Sequence, residues 1–302
     1  MILNITNGNY FNNYIKEKID GLFIPFNETM ITGYTTLNIF DDEFINVRST
    51  FHNVTKNEYI NKLNHLSNQN FIKSFNEIIL WFGYDTFCQI NLLTLLAYFD
   101  QINYSGKVYL IIIDDYNNEI IKHKEQISFI NMKNIYNTVI TKKKYIETNN
   151  DLLNNAIKSY LDFTFGKDET STYIKNNLKQ DHDTLLKNCL SLNVKQGLSD
   201  IIISQLINDY TNSIFYQLYY RNQLIGNLVV NKYDYKTIYT PIRDGILKLD
   251  TNNLLHNFLK EDSIGTLEEF PFFKQRLRDM EKFKLNEIQY HNDFYLLKQV
   301  IY

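Results

Sequence analysis

The sequence predicts an α/β fold: an open, mainly parallel sheet flanked by helices, followed by a mostly helical C-terminal half with a small β-hairpin. Three observations carry this. Short apolar runs alternate with helical-period segments over residues 1–115. Two of those runs, "EIILWF" from Glu77 and "KVYLIII" from Lys107, are continuously apolar, as strands buried on both faces are. Past residue 140 the pattern turns helical, apart from an alternating stretch at 227–240.

The elements follow in order. "MILNIT" is Ile-rich and reads as a first strand, closed by the turn signal Asn7-Gly8-Asn9. "YFNNYIKEKI" places Tyr10, Tyr14, Ile15 and Ile19 at helical spacing, and Asp20-Gly21 ends it. "LFIPF" is a short second strand whose Pro25 suits an edge or terminal position. Such a β-α-β unit implies parallel strands joined by a right-handed crossover. A polar loop follows, then "DDEFINVRSTFHN", a helix with Asp41 as its cap. "TKNEYINKLNHLS" carries Thr55 with Glu58 three residues on, a capping box. After the "EIILWF" strand, "DTFCQINLLTLLAYFDQI" is a helix with Asp85 at its N-cap, and "KVYLIIIDDY" is a strand ending in Asp114-Asp115. This is a Rossmann-like order of elements.

The second half holds helical patterns in "NDLLNNAIKSYLDFTFG", "TLLKNCLSLN" and "LSDIIISQLINDY". "NLVVNKYDYKTIYT" reads as two short strands around residues 232–235, and the stretch "EEFPFFKQRLRDMEKFKLNE" reads as helical after Pro271. The expected division is 1–138 for the α/β domain and 139–302 for a helical domain resembling a winged helix. A chain of 302 residues suits two domains, since single cores rarely grow beyond about 250 residues.

Composition removes several classes. A net charge of -3 gives no chain-wide footprint for nucleic acid or anionic membrane. Cys88 and Cys189 are too few for a disulfide scaffold and lack the spacing of a zinc site. Six scattered histidines form no i, i+4 metal pair, and there is neither a phosphate-binding Walker loop nor GxGxxG. No motif names a cofactor. Abundant Asn, Ile, Lys, Tyr and Phe suit an A/T-rich coding sequence, so the 23 tyrosines do not argue for a stacking surface. The N-terminus lacks a basic region before an apolar core, and no run reaches the roughly 18 apolar residues of a spanning helix. The expectation is a soluble, cytoplasmic protein with no membrane partner.

Four blocks, "LNITNG", "IDGLFIPFNETM", "FINVRSTF" and "LWFGYDTFCQINLL", resemble in order a bacterial family, the DUF1835 domain proteins. The likeness covers residues 1–115, and the last block is its most specific part. Departures exist: Asn9 stands where the family has Asp, Phe26 where it has Trp, and Thr32-Gly33-Tyr34 where it has Glu-Gly-Pro. Gly197-Leu198-Ser199 more loosely resembles a turn in the family's second half. The resemblance implies the fold and the place of a site, and supplies no reaction.

In open parallel sheets ligands bind beyond the carboxyl ends of the strands. That rule collects Asn7 and Gly8 after the first strand, Asn27 and Glu28 after the second, Asp85 after the third and Asp114 with Asp115 after the fourth. Asp85, Cys88 and Gln89 share a helix face. Arg48, set among Phe44, Ile45, Val47 and Phe51, is the candidate for gripping a phosphate or carboxylate bidentately. Asn7, Gly8, Asn27, Glu28, Arg48 and Gln89 are therefore candidate ligand-binding residues. Asp85 and Asp114 are candidate catalytic groups, with Asp85 also explicable as a plain cap. Glu28, Asp85 and Asp114, if gathered, would suit Mg²⁺. The function expected is binding of a nucleotide or other phosphorylated ligand at this rim. The alternative is nucleic-acid binding or regulation through the winged-helix-like half, using Arg221, Lys232, Lys236 and Arg243.

Overall fold

The structure is a computed structural model, and it describes residues 1–114, 117–164 and 166–211 together with strand segments 213–220, 223–231, 237–241, 287–290 and 295–300. Asp115, Arg221, Lys232, Lys236, Arg243 and residues 271–286 of the stretch read as helical lie outside the described residues. The chain divides into two units. One comprises Met1–Thr141, Tyr145–Tyr160 and Lys195–Gly197; the other comprises Lys142–Lys144, Leu161–Val194 and Leu198–Tyr302.

The first unit is an α/β layer structure. Its strands are β1 (Ile2–Asn7), β2 (Leu22–Phe26), β3 (Glu77–Gly83), β4 (Lys107–Asp114) and β5 (Glu119–Gln126). Their order is β2-β1-β3-β4-β5; the first four are mutually parallel and β5 is antiparallel. Helix α1 (Asn9–Ile15) links β1 to β2, and α5 (Thr86–Gln101) links β3 to β4. Between β2 and β3 lie α2 (Asp42–Phe51), α3 (Lys56–Lys62) and α4 (Gln69–Lys73). After β5 come α6 (Met132–Tyr136), a π-helical turn at Asn137–Thr141 and the first part of α7 (Asp151–Thr164).

Strand periodicity sorts the core into two faces. On one, Trp81, Ile111 and Ile113 pack with Phe11 and Ile15 of α1. The Trp81 and Phe11 rings lie 6.1 Å apart, and Trp81 Nε1 donates to Asn4 Oδ1 at 3.0 Å. The alternate residues Leu3, Ile5, Ile78, Leu80, Phe82, Leu110 and Ile112 are buried on the other face. Right-handed crossovers that leave β1 in one direction and β3 in the other place α1 and α5 on opposite faces. Every residue of α5 from Cys88 to Phe99 is buried, as expected of a helix apolar on all sides.

The caps read from the sequence are present. Asp41 Oδ1 accepts from Phe44 N, and Thr55 with Glu58 forms a capping box. The helix begun by Thr55 stops at Lys62, sooner than its polar pattern suggests, because Asn64 and His65 both take positive φ.

In the second unit α8 (Glu169–Asn176), α9 (His182–Leu192) and α10 (Asp200–Thr211) precede five antiparallel strands. These are β6 (Ser213–Tyr220), β7 (Gln223–Asn231), β8 (Thr237–Pro241), β9 (Glu287–Tyr290) and β10 (Tyr295–Val300), in the order β8-β7-β6-β10-β9. The expected hairpin is there as β7 paired with β8. It belongs to a larger sheet, so the described part of the second half is helical only to Thr211. Alternating β-branched and aromatic residues in "SIFYQLYY" favour strand over helix. Among the described residues no helix is long and apolar enough to cross a membrane.

Trp81 is the only tryptophan and is buried, so its fluorescence reports folding of the first unit. Asn4→Ala leaves the indole N–H without its acceptor. It should lower stability by about 1–3 kcal/mol in urea titrations followed at this fluorophore.

Candidate functional site

The sheet reverses its direction of growth between β1 and β3, and the ends of strands at such a switch point are where open α/β sheets generally leave a crevice. Residues around it are tied by side-chain amides. Asn7, at the end of β1, accepts from Asn91 Nδ2 at 2.8 Å and donates to Cys88 Sγ at 2.9 Å. Asn91, fully buried on α5, also donates to the Glu28 carbonyl at 2.7 Å and accepts from Met30 N at 2.9 Å. One side chain thus joins the ends of β1, β2 and α5. Gln89, equally buried, donates to the Gly83 carbonyl at 2.6 Å, while its Oε1 has no hydrogen-bond partner.

Gly8 follows Asn7 with φ 87°, and its N–H bonds the carbonyls of Thr6 and Phe26. The space where a Cβ would stand is open to 4 Å. A side chain would fill that space and strain the backbone, so glycine keeps the main chain approachable here. Asn27 donates to Asn9 Oδ1 at 3.1 Å across the turn ends.

Asp85 caps α5: its Oδ1 accepts from Cys88 N at 2.8 Å. Asp114 is also on the rim by register, since Ile113 pairs with Gly83. Its carboxylate holds the following turn by accepting from Asn117 N and Nδ2.

Glu28 and Arg48 turn inward, away from any rim ligand. Both side chains are fully buried, with Arg48 Nη2 2.5 Å from Glu28 Oε1. Glu28 also takes Thr29 N at 2.7 Å, His52 Nε2 at 2.7 Å and the Tyr59 hydroxyl. The His52 tautomer carrying its proton on Nε2 is the donor. The terminal nitrogens of Arg48 further reach the carbonyls of Thr29, Thr32 and Tyr34. Both terminal nitrogens are committed to protein acceptors and the side chain has no solvent access, so the expected anion-binding role gives way to a clamp on the loop after β2. Burial alone would raise the Glu28 carboxyl; the Arg48 charge and the bonds from His52 and Arg48 outweigh it and hold the group far below the usual carboxylate range. Burial of Tyr59, reinforced by the Glu28 charge, pushes its phenol well above the ordinary value and keeps it a donor.

The strand-end rim thus carries Asn7, Gly8, Asn27, Asp85, Gln89 and Asp114, while Glu28 and Arg48 support it from behind. Among the described residues no group of three or more His, Cys, Asp or Glu is placed to hold a metal ion, so Glu28, Asp85 and Asp114 do not gather as a Mg²⁺ set. Asn91, the joining residue, is not among the candidates drawn from the sequence. Its signal is an amide on a largely apolar helix, six residues beyond the cap. His52, at i+4 from Arg48, was legible as a neighbour; Tyr59 was not. Comparison of the chain with known protein families, with curated proteins and with solved structures finds no match.

The depressed Glu28 carboxyl makes stability depend on pH with a definite sign. Below about pH 4.5 the unfolded chain takes up a proton that the folded chain refuses. The contribution is therefore present above that pH and is lost progressively as pH falls. Stability from urea titrations should fall between about pH 5 and about pH 3 more steeply in the wild type than in Glu28→Gln.

Proposed function

We propose that the α/β unit binds a nucleotide or other small phosphorylated ligand in the crevice between the ends of β1 and β3. The observation that supports this most is the amide lattice at the switch point. Asn7, Asn91 and Gln89 are held in fixed geometry there, and the buried Gln89 Oε1 lacks a protein partner. Buried polar atoms are normally paired, so an orphan acceptor beside a crevice suits a ligand donor. Amides both donate and accept, which matches the edges of a base or sugar. The open turn at Gly8 lets a phosphate approach the backbone closely. The segments that resemble the DUF1835 proteins are the ones that build this crevice. Arg48 acts by positioning the loop that walls it.

The test is native mass spectrometry of the purified full chain for retained small molecules, followed by calorimetric titration with AMP, ribose 5-phosphate and inorganic phosphate. Asp85→Asn keeps a good cap and removes a negative charge from the rim. It should leave stability within about 0.5 kcal/mol and strengthen binding of the anionic ligand by about threefold to tenfold. Absence of binding by all three compounds, or affinity indifferent to this substitution, rejects the reading.

A further inference from the structure

We propose that His52 is a phosphoryl-accepting residue: its Nδ1 takes a phosphoryl group from a reactive donor such as an acyl phosphate or a phosphoramidate, and the Lys62 ammonium holds the transferred group. This site is separate from the crevice and stands without the binding reading above. The chemistry begins with the tautomer. His52 Nε2 lies 2.7 Å from Glu28 Oε1. Glu28 is fully buried, and its neighbours keep it a carboxylate. The proton of the neutral ring is therefore on Nε2, and the lone pair is on Nδ1. The His52 side chain keeps 15% of its surface exposed, while Glu28 keeps none. Nδ1 has no hydrogen-bond partner among the described residues, and it is not one of the buried unpaired atoms. It is the polar atom of the ring that meets solvent.

The ring is held in that orientation. Tyr59 stacks on it with centroids 5.7 Å apart, and Phe51 meets it edge-on at 5.1 Å. Below it, His52 N donates to the Arg48 carbonyl at 2.9 Å and closes α2. An imidazole with one nitrogen on a carboxylate and the other open is prepared to act as a base or as a nucleophile. The hydroxyls around it decide between the two. Tyr59 donates to Glu28, Ser49 to the Asn46 carbonyl and Thr55 to Glu58. None of them offers its proton to His52, so the ring itself is the nucleophile. Lys62, at the end of α3, is half-buried and feels the charges of both Glu28 and Arg48. Among the described residues no carboxylate pairs with it, because Glu28 is matched by Arg48. Burial pushes its ammonium below the ordinary lysine value, and an anion beside it restores the charge. A cation so placed suits a phosphoryl group in transfer. In the step, the Nδ1 lone pair forms the new N–P bond. The bond from phosphorus to the leaving group breaks, and its electron pair departs with the carboxylate of an acyl phosphate or with the ammonia of phosphoramidate. Nothing is oxidised or reduced. The proton on Nε2 stays, the ring becomes a cation, and the Glu28 carboxylate faces the new charge.

The full chain is treated with phosphoramidate at neutral pH. Peptide mass spectrometry without acid gives the site and the rate, and phosphorus NMR gives the nitrogen that carries the group. His65 and His123 are exposed and lack a carboxylate partner among the described residues, so they serve as internal references. His52 should react about tenfold faster than either, on Nδ1. In Lys62→Met and Lys62→Gln, each checked for folding by Trp81 fluorescence, the rate at His52 should drop about threefold or more. In urea, with the Glu28 contact gone, His52 should lose its advantage. A native rate at His52 no greater than at the references, a product on Nε2, or an unchanged rate in the folded Lys62 variants overturns the proposal.

Discussion

Glu28 and Arg48 form an ion pair with no solvent access to either side chain. Removing two charges from water costs several kcal/mol per ion, and a bare pair in a protein interior does not recover that. Here the surroundings satisfy most of its groups, with Arg48 Nε left without a hydrogen-bond partner. The carboxylate receives four donors, and the guanidinium terminal nitrogens reach that carboxylate and three main-chain carbonyls. Such a pair adds little stability over a well-packed apolar equivalent. What it adds here is uniqueness. The loop 27–41 has no regular structure, and its carbonyls at 29, 32 and 34 all converge on the one guanidinium.

That constraint reaches the crevice through short steps. Glu28 supplies its side chain to Arg48 and its carbonyl to Asn91. Asn91 in turn fixes Asn7 and the Met30 amide. At the far end of the loop, Tyr136 bonds Thr35 and Thr36, and Gln101 holds both the N–H and the carbonyl of Ile39. The loop is therefore sewn to α2, α5 and α6 along its length. A wall so fixed keeps the polar groups of the rim in place before any ligand arrives, which lowers the ordering cost of binding.

Much of this architecture is legible in the residues. The apolar runs of β1 to β4 and the caps Asp41, Thr55 and Asp85 carry local signals, and parallel order follows from the βαβ pattern. β5 did not announce itself. "EIIKHKEQ" is exposed throughout, so neither alternation nor an apolar run marks it, and its lysines suit a guarded sheet edge. Arg48 shows the limit more sharply. Its apolar neighbours point to burial, but whether it faces a ligand or a carboxylate depends on Glu28, twenty residues away. The return of Gly197 to Asp85 has no local trace at all. Contacts between distant segments are decided by packing, and single-sequence patterns hold only local preference.

A double-mutant cycle on Glu28→Gln and Arg48→Met, read by urea unfolding at Trp81, tests the central claim most directly. Each single change strands a buried partner and should cost about 3–5 kcal/mol, while the double variant loses both charges together. The account predicts a coupling energy of about 2 kcal/mol or more, with the double variant less destabilised than the sum. Additive losses would mean that Glu28 and Arg48 do not depend on one another, and the clamp on the crevice wall would be contradicted.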